Sequence, residues 1–246
     1  MSGNRSGTVQ KGQYQNGLAG LAIAFGLVIM GAILAKAAVG VKELERTVTV
    51  KGLSEQEFVA DVVIWPLQYS VASNDLTDLY LQLEESNTKI MQFLIERGLS
   101  SDAVTLSAPN IVDKSAQQYG GYEPALYRYS GNQTVTVYSH EIDLVRTMQA
   151  SLSELGRQGI VFTARDYGVT TEYLFTRLND VKPDMVEEAT RNARQVAEKF
   201  AEDSDSKLGK IKRASQGQFS ISARDRNNPH IKRVRVVSTI EYYLSD

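Results

Sequence analysis

Cysteine is absent, so disulfides, thiolate metal sites and cysteine nucleophiles are excluded. Histidine is nearly absent. Only His140 and His230 occur, and neither stands in a cluster with ligand spacing, which argues against a metal centre. Gly-x-Ser-x-Gly and phosphate-loop patterns are missing. Glu84-Glu85 and Glu187-Glu188 are adjacent pairs on predicted helices, so each pair splays around its axis instead of converging. Acid/base, nucleophilic and metal-assisted chemistry therefore find no constellation, and the chain reads as non-enzymatic with no cofactor. Long hydrophobic runs are also missing, with one exception.

That exception is Leu18–Ala35, eighteen residues without a charged side chain. As a helix it spans roughly 27 Å, close to the hydrocarbon thickness of a bilayer. Leu18, Leu21, Phe25, Leu27, Ile29, Ile33 and Leu34 would face lipid. A cleaved signal peptide is the competing reading, with Arg5 and Lys11 as its basic flank and Ala35-Lys36-Ala37 as a cleavage site. The length of the run and the lysine inside that site favour an uncleaved anchor. The organisation is then a cytoplasmic tail over 1–17, a transmembrane segment over 18–40 and one folded domain over 41–246. Lys36, Lys42, Arg46 and Lys51 outnumber Arg5 and Lys11, so the charge rule by itself puts the domain on the cytoplasmic side.

Charge is unevenly spread. The chain carries a net −2, but Thr47–Ser206 holds 13 basic and 24 acidic residues. Lys207–Arg235 holds nine basic residues and only Asp225 against them. An acidic body with a basic C-terminal segment invites head-to-tail self-association or contact with an anionic surface.

Along the domain, Thr47–Lys51 alternates as a strand that Gly52 ends, and Glu57–Ala72 reads as a second, long strand. Pro66 marks a bulge, an edge or a break in it. Ser73-Asn74-Asp75 offers an N-cap for a helix over Leu76–Arg97, striped by Leu76, Leu79, Leu83, Asn87, Ile90 and Leu94 and stopped by Gly98. Val104–Asp113 and Tyr127–Ser139 read as strands, with a loop over Lys114–Pro124 between them. A second helix covers Ile142–Leu155. An extended stretch covers Val161–Thr176, broken at Asp166-Tyr167-Gly168. A third helix covers Pro183–Glu202, with Val186, Ala189, Ala193, Val196, Ala197 and Phe200 as its packing stripe. Lys210–Ser222 and His230–Leu244 close the chain as a hairpin. Strands clustered in twos between helices predict an α+β fold, an antiparallel or mixed β-sheet with amphipathic helices packed on it.

Two groups of side chains are candidates for binding. Tyr119, Tyr122, Tyr127 and Tyr129 lie in or beside a glycine-rich loop, and tyrosine combines large contact area with one polar handle. Lys212, Arg213, Lys232, Arg233 and Arg235 supply the positive charge of the hairpin. Aromatic interleaving there is thin, essentially Phe219, so nucleic acid is not the expected partner.

Four stretches, taken in order, carry a family likeness. They are Val48-x-Val50-x-Gly52, then Glu84-Glu85-Ser86-Asn87 with Leu94–Leu99, then Tyr127–Ser130 leading into Val135-Thr136-Val137 and Asp143-Leu144. The last is Glu188-Ala189-x3-Ala193-x3-Ala197-x2-Phe200-Ala201 followed by Lys207–Ile211. Together they resemble the bacterial SIMPL-domain proteins over roughly Thr47–Leu244. Ala60-Asp61 stands where the family often has a Pro-Asp pair, and Ser204-Asp205-Ser206 replaces the usual helix continuation.

The resemblance implies an exported bacterial domain, periplasmic or surface-facing; combined with the single-pass anchor read from Leu18–Ala35, the expected location is the inner membrane with the domain facing the periplasm. The resemblance also implies an α+β fold, homo-oligomers that sometimes form channel-like rings, no established enzyme activity, and loose links to envelope and oxidative-stress responses. The expected function is an envelope protein working by self-assembly or partner binding. The alternative is a module that holds an anionic envelope ligand on the basic hairpin.

Overall fold

The computed structural model describes residues 20, 24–36, 46–116, 126–163 and 170–245. In chain order the elements are helix α1 (24–36), strands β1 (Thr47–Val59) and β2 (Val62–Ser73), and helix α2 (Leu76–Glu96). Strands β3 (Val104–Leu106), β4 (Asn110–Asp113) and β5 (Tyr129–Ser139) follow, then helices α3 (Ile142–Ala150) and α4 (Ser153–Arg157). Strands β6 (Val161–Phe162) and β7 (Glu172–Leu174) precede helix α5 (Leu178–Asp203), and β8 (Lys207–Gln216), β9 (Ser220–Ala223) and β10 (Ile231–Ser245) complete the chain. The fold is α+β with two sheets, and every strand pairing resolved in register is antiparallel.

The chain divides into two units. The first takes the described parts of Met1–Ser54, Val186–Gln218 and Val236–Asp246; the second takes Glu55–Met185 and Phe219–Arg235.

In the first unit the strand order is β1-β10-β8. Val50, Ala193, Ala197, Ile240 and Tyr242 form the core, with Val48 and Leu208 against it. Ala189, Ala193, Ala197 and Ala201 recur every fourth residue of α5 and are all buried. Opposite them lies Gly52, where an added Cβ would come within 1.8 Å of the Ala189 carbonyl oxygen. Gly52 therefore does not end the first strand, as its sequence context suggested; β1 runs through it, and the missing side chain admits the helix backbone. The α5 stripe is corrected for the same reason. Only alanine fits so close a seam, while Val196 and Phe200 turn to the flank and stay 41% and 55% exposed. Ser54 donates to Glu188 (2.6 Å) and Asn192 donates to the Leu53 carbonyl (2.8 Å), fastening β1 to α5 along one flank of the seam.

The second unit is built on a sheet of order β3-β5-β2-β6, with β4 also pairing β5 and β7 also pairing β2. The β2–β5 ladder is continuous from Val63↔Ser139 to Ser73↔Tyr129. Trp65, Leu67, Tyr69, Val135 and Val137 from this ladder meet Leu83, Ile90 and Leu94 of α2 and Val145 and Met148 of α3 in one core. Asp75 caps α2 by accepting from the Asp78 N–H (2.9 Å), and Gly98 takes φ +97° after the last turn, as the sequence predicts. Pro66 keeps its place in β2 because, on the side away from β5, it falls between the β7 pairing at Val62–Ile64 and the β6 pairing at Tyr69–Ser70. No ladder hydrogen bond is required of it there.

Three predicted elements of this unit are corrected. The single strand Val104–Asp113 is two short strands separated at Ser107-Ala108-Pro109, both paired with β5. The single helix Ile142–Leu155 breaks into α3 and α4 at Ser151-Leu152. The long strand Glu57–Ala72 is interrupted at Ala60-Asp61, so that its first residues belong to β1. The predicted break at Asp166-Tyr167-Gly168 lies outside the described residues.

Of the predicted anchor, Leu18 and Leu21 lie outside the described residues, while Phe25, Leu27, Ile29, Ile33 and Leu34 are on α1 and are between 45% and 69% exposed. No described helix is long and apolar enough to cross a membrane.

Candidate functional site

Tyr119 and Tyr122 lie outside the described residues. Tyr127 is exposed and Tyr129 is half-buried at the start of β5. Between them Arg128 fixes the base of the segment. Its guanidinium donates to Asp113 (2.9 Å), lies 4.8 Å from the Tyr129 ring centroid, and its N–H donates to Asn74 (2.9 Å). The Arg128 hydrogen bond, helped by Ser115, holds the Asp113 carboxyl at about 2. This brace is absent from the sequence reading; only the opposite charges of Asp113 and Arg128 hinted at it.

The basic candidates divide between the two units. Lys212 and Arg213 are on β8 in the first, and Lys232, Arg233 and Arg235 are on β10 in the second. Several are answered by acids. Lys212 pairs with Glu241 (3.1 Å), which also accepts from the Thr47 hydroxyl (2.9 Å). Glu55 lies 3.5 Å from Arg233 and 3.9 Å from Arg235. Burial lowers the Lys232 pKa, and the nearby Glu172 charge only partly opposes this. The strong positive balance of Lys207–Arg235 is thus partly neutralised by carboxylates from β1 and β10.

The structure adds a cleft that the sequence does not announce. In the second unit, an open space of about 710 Å3 is lined by Ala60, Asp61, His140, Glu141, Asp143 and Arg177, among others. Asp61 accepts from the Thr176 N–H (2.8 Å) and hydroxyl (2.7 Å), with Arg177 at 3.5 Å. Burial works to raise the Asp61 pKa, but the Thr176 bonds and Arg177 outweigh it and hold the carboxyl below its usual value.

Both histidines flank this turn. His140 Nδ1 lies 2.9 Å from the Asp61 carbonyl oxygen, and the His230 carbonyl accepts the Ala60 N–H (2.8 Å). His230 itself is buried, its ring edge-on to Tyr173 at 6.0 Å. The hydrogen bonds of Asp61 are spent within the protein, so the turn is a brace. Among the described residues, no three His, Asp or Glu side chains are grouped to hold a metal ion.

Two antiparallel sheets, with helices and strands interleaved in sequence, define an α+β protein. The chain belongs to the SIMPL family, described as a protein of unknown function (DUF541), whose model matches residues 48–238. Comparison with curated proteins found no match.

Proposed function

We propose that this chain is a membrane-anchored envelope protein of a bacterium, exported to the periplasm, which acts by self-assembly or partner binding and not by catalysis. Its tail, residues 1–17, stays in the cytoplasm, and one segment within 18–40 crosses the inner membrane. A homo-oligomer and a link to envelope stress belong to the same proposal.

One observation carries it. Phe25, Leu27, Val28, Ile29, Met30, Ile33 and Leu34 crowd a short helix, and each is 45% or more exposed. Apolar side chains on all sides of a helix need a cover, and lipid supplies one on every side at once. Helix α1 covers about 20 Å, and the uncharged run of eighteen residues from Leu18 is long enough in sequence for a helix of roughly 27 Å. The alternative, an anionic-ligand module on the basic hairpin, is less well supported, because Glu55 and Glu241 already answer Arg233, Arg235 and Lys212.

The lack of cysteine makes the test clean. Ser245→Cys places a single thiol at an exposed C-terminal position. In spheroplasts a membrane-impermeant maleimide should label it, and the protein should stay with membranes through alkaline extraction. Labelling only after lysis would place the domain in the cytoplasm. Release by alkali would remove the anchor.

A further inference from the structure

Strand β8 is an edge. It pairs with β10 on one side, and no described strand pairs with the other. Its ten residues are all exposed except Leu208, which is half-buried. Edges of this length are usually covered or shortened, because their free backbone groups attract further strands.

The backbone alternation says which groups point outward. The Gly217 N–H donates to the Val237 carbonyl (2.8 Å), so Ser215 and Arg213 also bond towards β10. Ala214 and Gln216 then present their N–H and C=O groups to the open side.

Beside this edge, between β8 and α5, runs a groove of about 230 Å3. Val186 and Thr190 of α5 form one wall, and Ile211, Ala214 and Ile240 form the other. The strand carries Lys207, Lys210, Lys212 and Arg213 and no acidic residue. Two β8 edges brought together would set four bases against four, so a second β8 is a poor occupant.

We propose that β8 and α5 form a cradle for an extended acidic peptide of a partner protein. The peptide adds to β8 as a strand and hydrogen-bonds Ala214 and Gln216. It seats alternate apolar side chains in the groove and directs its carboxylates at Lys210 and Arg213, since the Lys212 ammonium is already paired with Glu241. Main-chain pairing supplies affinity in this mode, and the groove and charges supply selection. The inference rests on the partner-binding reading and names the chemistry of the partner.

The test uses the detergent-solubilised full chain and a fluorescent eight-residue peptide of alternating glutamate and valine, with an alternating lysine and valine peptide as control. The acidic peptide should bind saturably and weaken at least roughly tenfold between about 0.01 M and 1 M salt. Ala214→Pro removes one outward N–H from an edge, where proline is tolerated, and should cut binding roughly tenfold or more at an unchanged melting temperature. Ile211→Asn spoils the apolar groove without touching the backbone or the charge and should also weaken binding, which keeps the inference testable if the proline variant misfolds. Equal binding of the lysine peptide, or full binding by both variants, overturns the proposal. No peptide binding by a chain that still self-associates overturns this inference and leaves the assembly reading standing. A chain that neither binds the peptide nor self-associates counts against both.

Discussion

His230 shows how a residue with no motif around it acquires a physical role. In the sequence it is an isolated histidine at the start of a strand. In the fold its ring is buried against Tyr173, near Arg146 and Asp143 of α3 and Arg224 and Asp225 of the turn before β10. Burial comes first among the effects that push its pKa below 6.5, and Arg146 adds to it. The folded protein therefore prefers the neutral ring, while the unfolded chain takes up a proton as pH falls through 6.5. Above that value the group contributes no pH dependence; below it, stability should fall. Asp61 acts in a different window. Its lowered carboxyl adds stability that is lost only as pH drops through 3.8 and below. Urea midpoints measured at about pH 7.5 and about pH 5 should therefore differ in the wild type and converge in His230→Gln. An unchanged gap in that variant would assign the slope to other groups. Asn87 teaches the complementary lesson. It interrupts the apolar stripe of α2 for no reason visible in the sequence. In the fold, its amide donates to Gln133 (2.9 Å) and its carbonyl accepts from the buried Tyr69 hydroxyl (2.9 Å), partners 46 and 18 residues away.

At the scale of elements, what was legible is what is local. The cap at Asp75, the stop at Gly98 and the four-residue alanine spacing of α5 are written in neighbouring residues, and the fold keeps all three. What was not legible depends on elements far apart in the chain. Gly52 reads as a strand breaker until α5, more than 130 residues later, packs onto it. Val196 and Phe200 read as core until the closeness of that seam excludes large side chains. Pro109 stands at the split of the predicted Val104–Asp113 strand, a local signal that a reading of the stretch as one strand passes over. The seam makes a sharp prediction. In Gly52→Ala the new methyl meets the Ala189 carbonyl and the Ala193 N–H, backbone atoms that no rotamer change can move. Chemical denaturation should show a loss of about 3 kcal/mol or more, the upper end of overpacking costs. Gly98→Ala provides a contrast, because nothing lies near its added Cβ and only its φ of +97° resists the change. Its cost should be smaller, about 1 kcal/mol.

At the scale of the whole molecule, the sequence suggests that the basic C-terminal segment drives association with an acidic body. The structure changes how that idea must be tested. Reversing Lys232, Arg233 and Arg235 to Glu would set new carboxylates beside Glu55, which now faces both arginines, and would strain the fold whatever happens to assembly. The informative variant adds Glu55→Arg, so that the local ion pairs are inverted instead of broken. If charge-guided contact between copies holds the oligomer, this variant should keep its melting temperature and yet show a smaller native mass by sedimentation than the wild-type full chain in detergent. The wild-type mass should also decrease as salt rises, since exposed charges more than about 10 Å apart are largely screened at 0.1 M. The fragment Thr47–Asp246, which contains the family-matched region and the cores of both units, separates the remaining causes. A fragment that associates like the full chain would put assembly in the folded units. A monomeric fragment beside an associated full chain would assign it to the apolar segment, where Gly20-x3-Ala24 and Gly31-x3-Ala35 permit close helix approach. Native mass unchanged in the inverted variant and unaffected by salt would remove electrostatics from the account and leave apolar contact as the force that joins the copies.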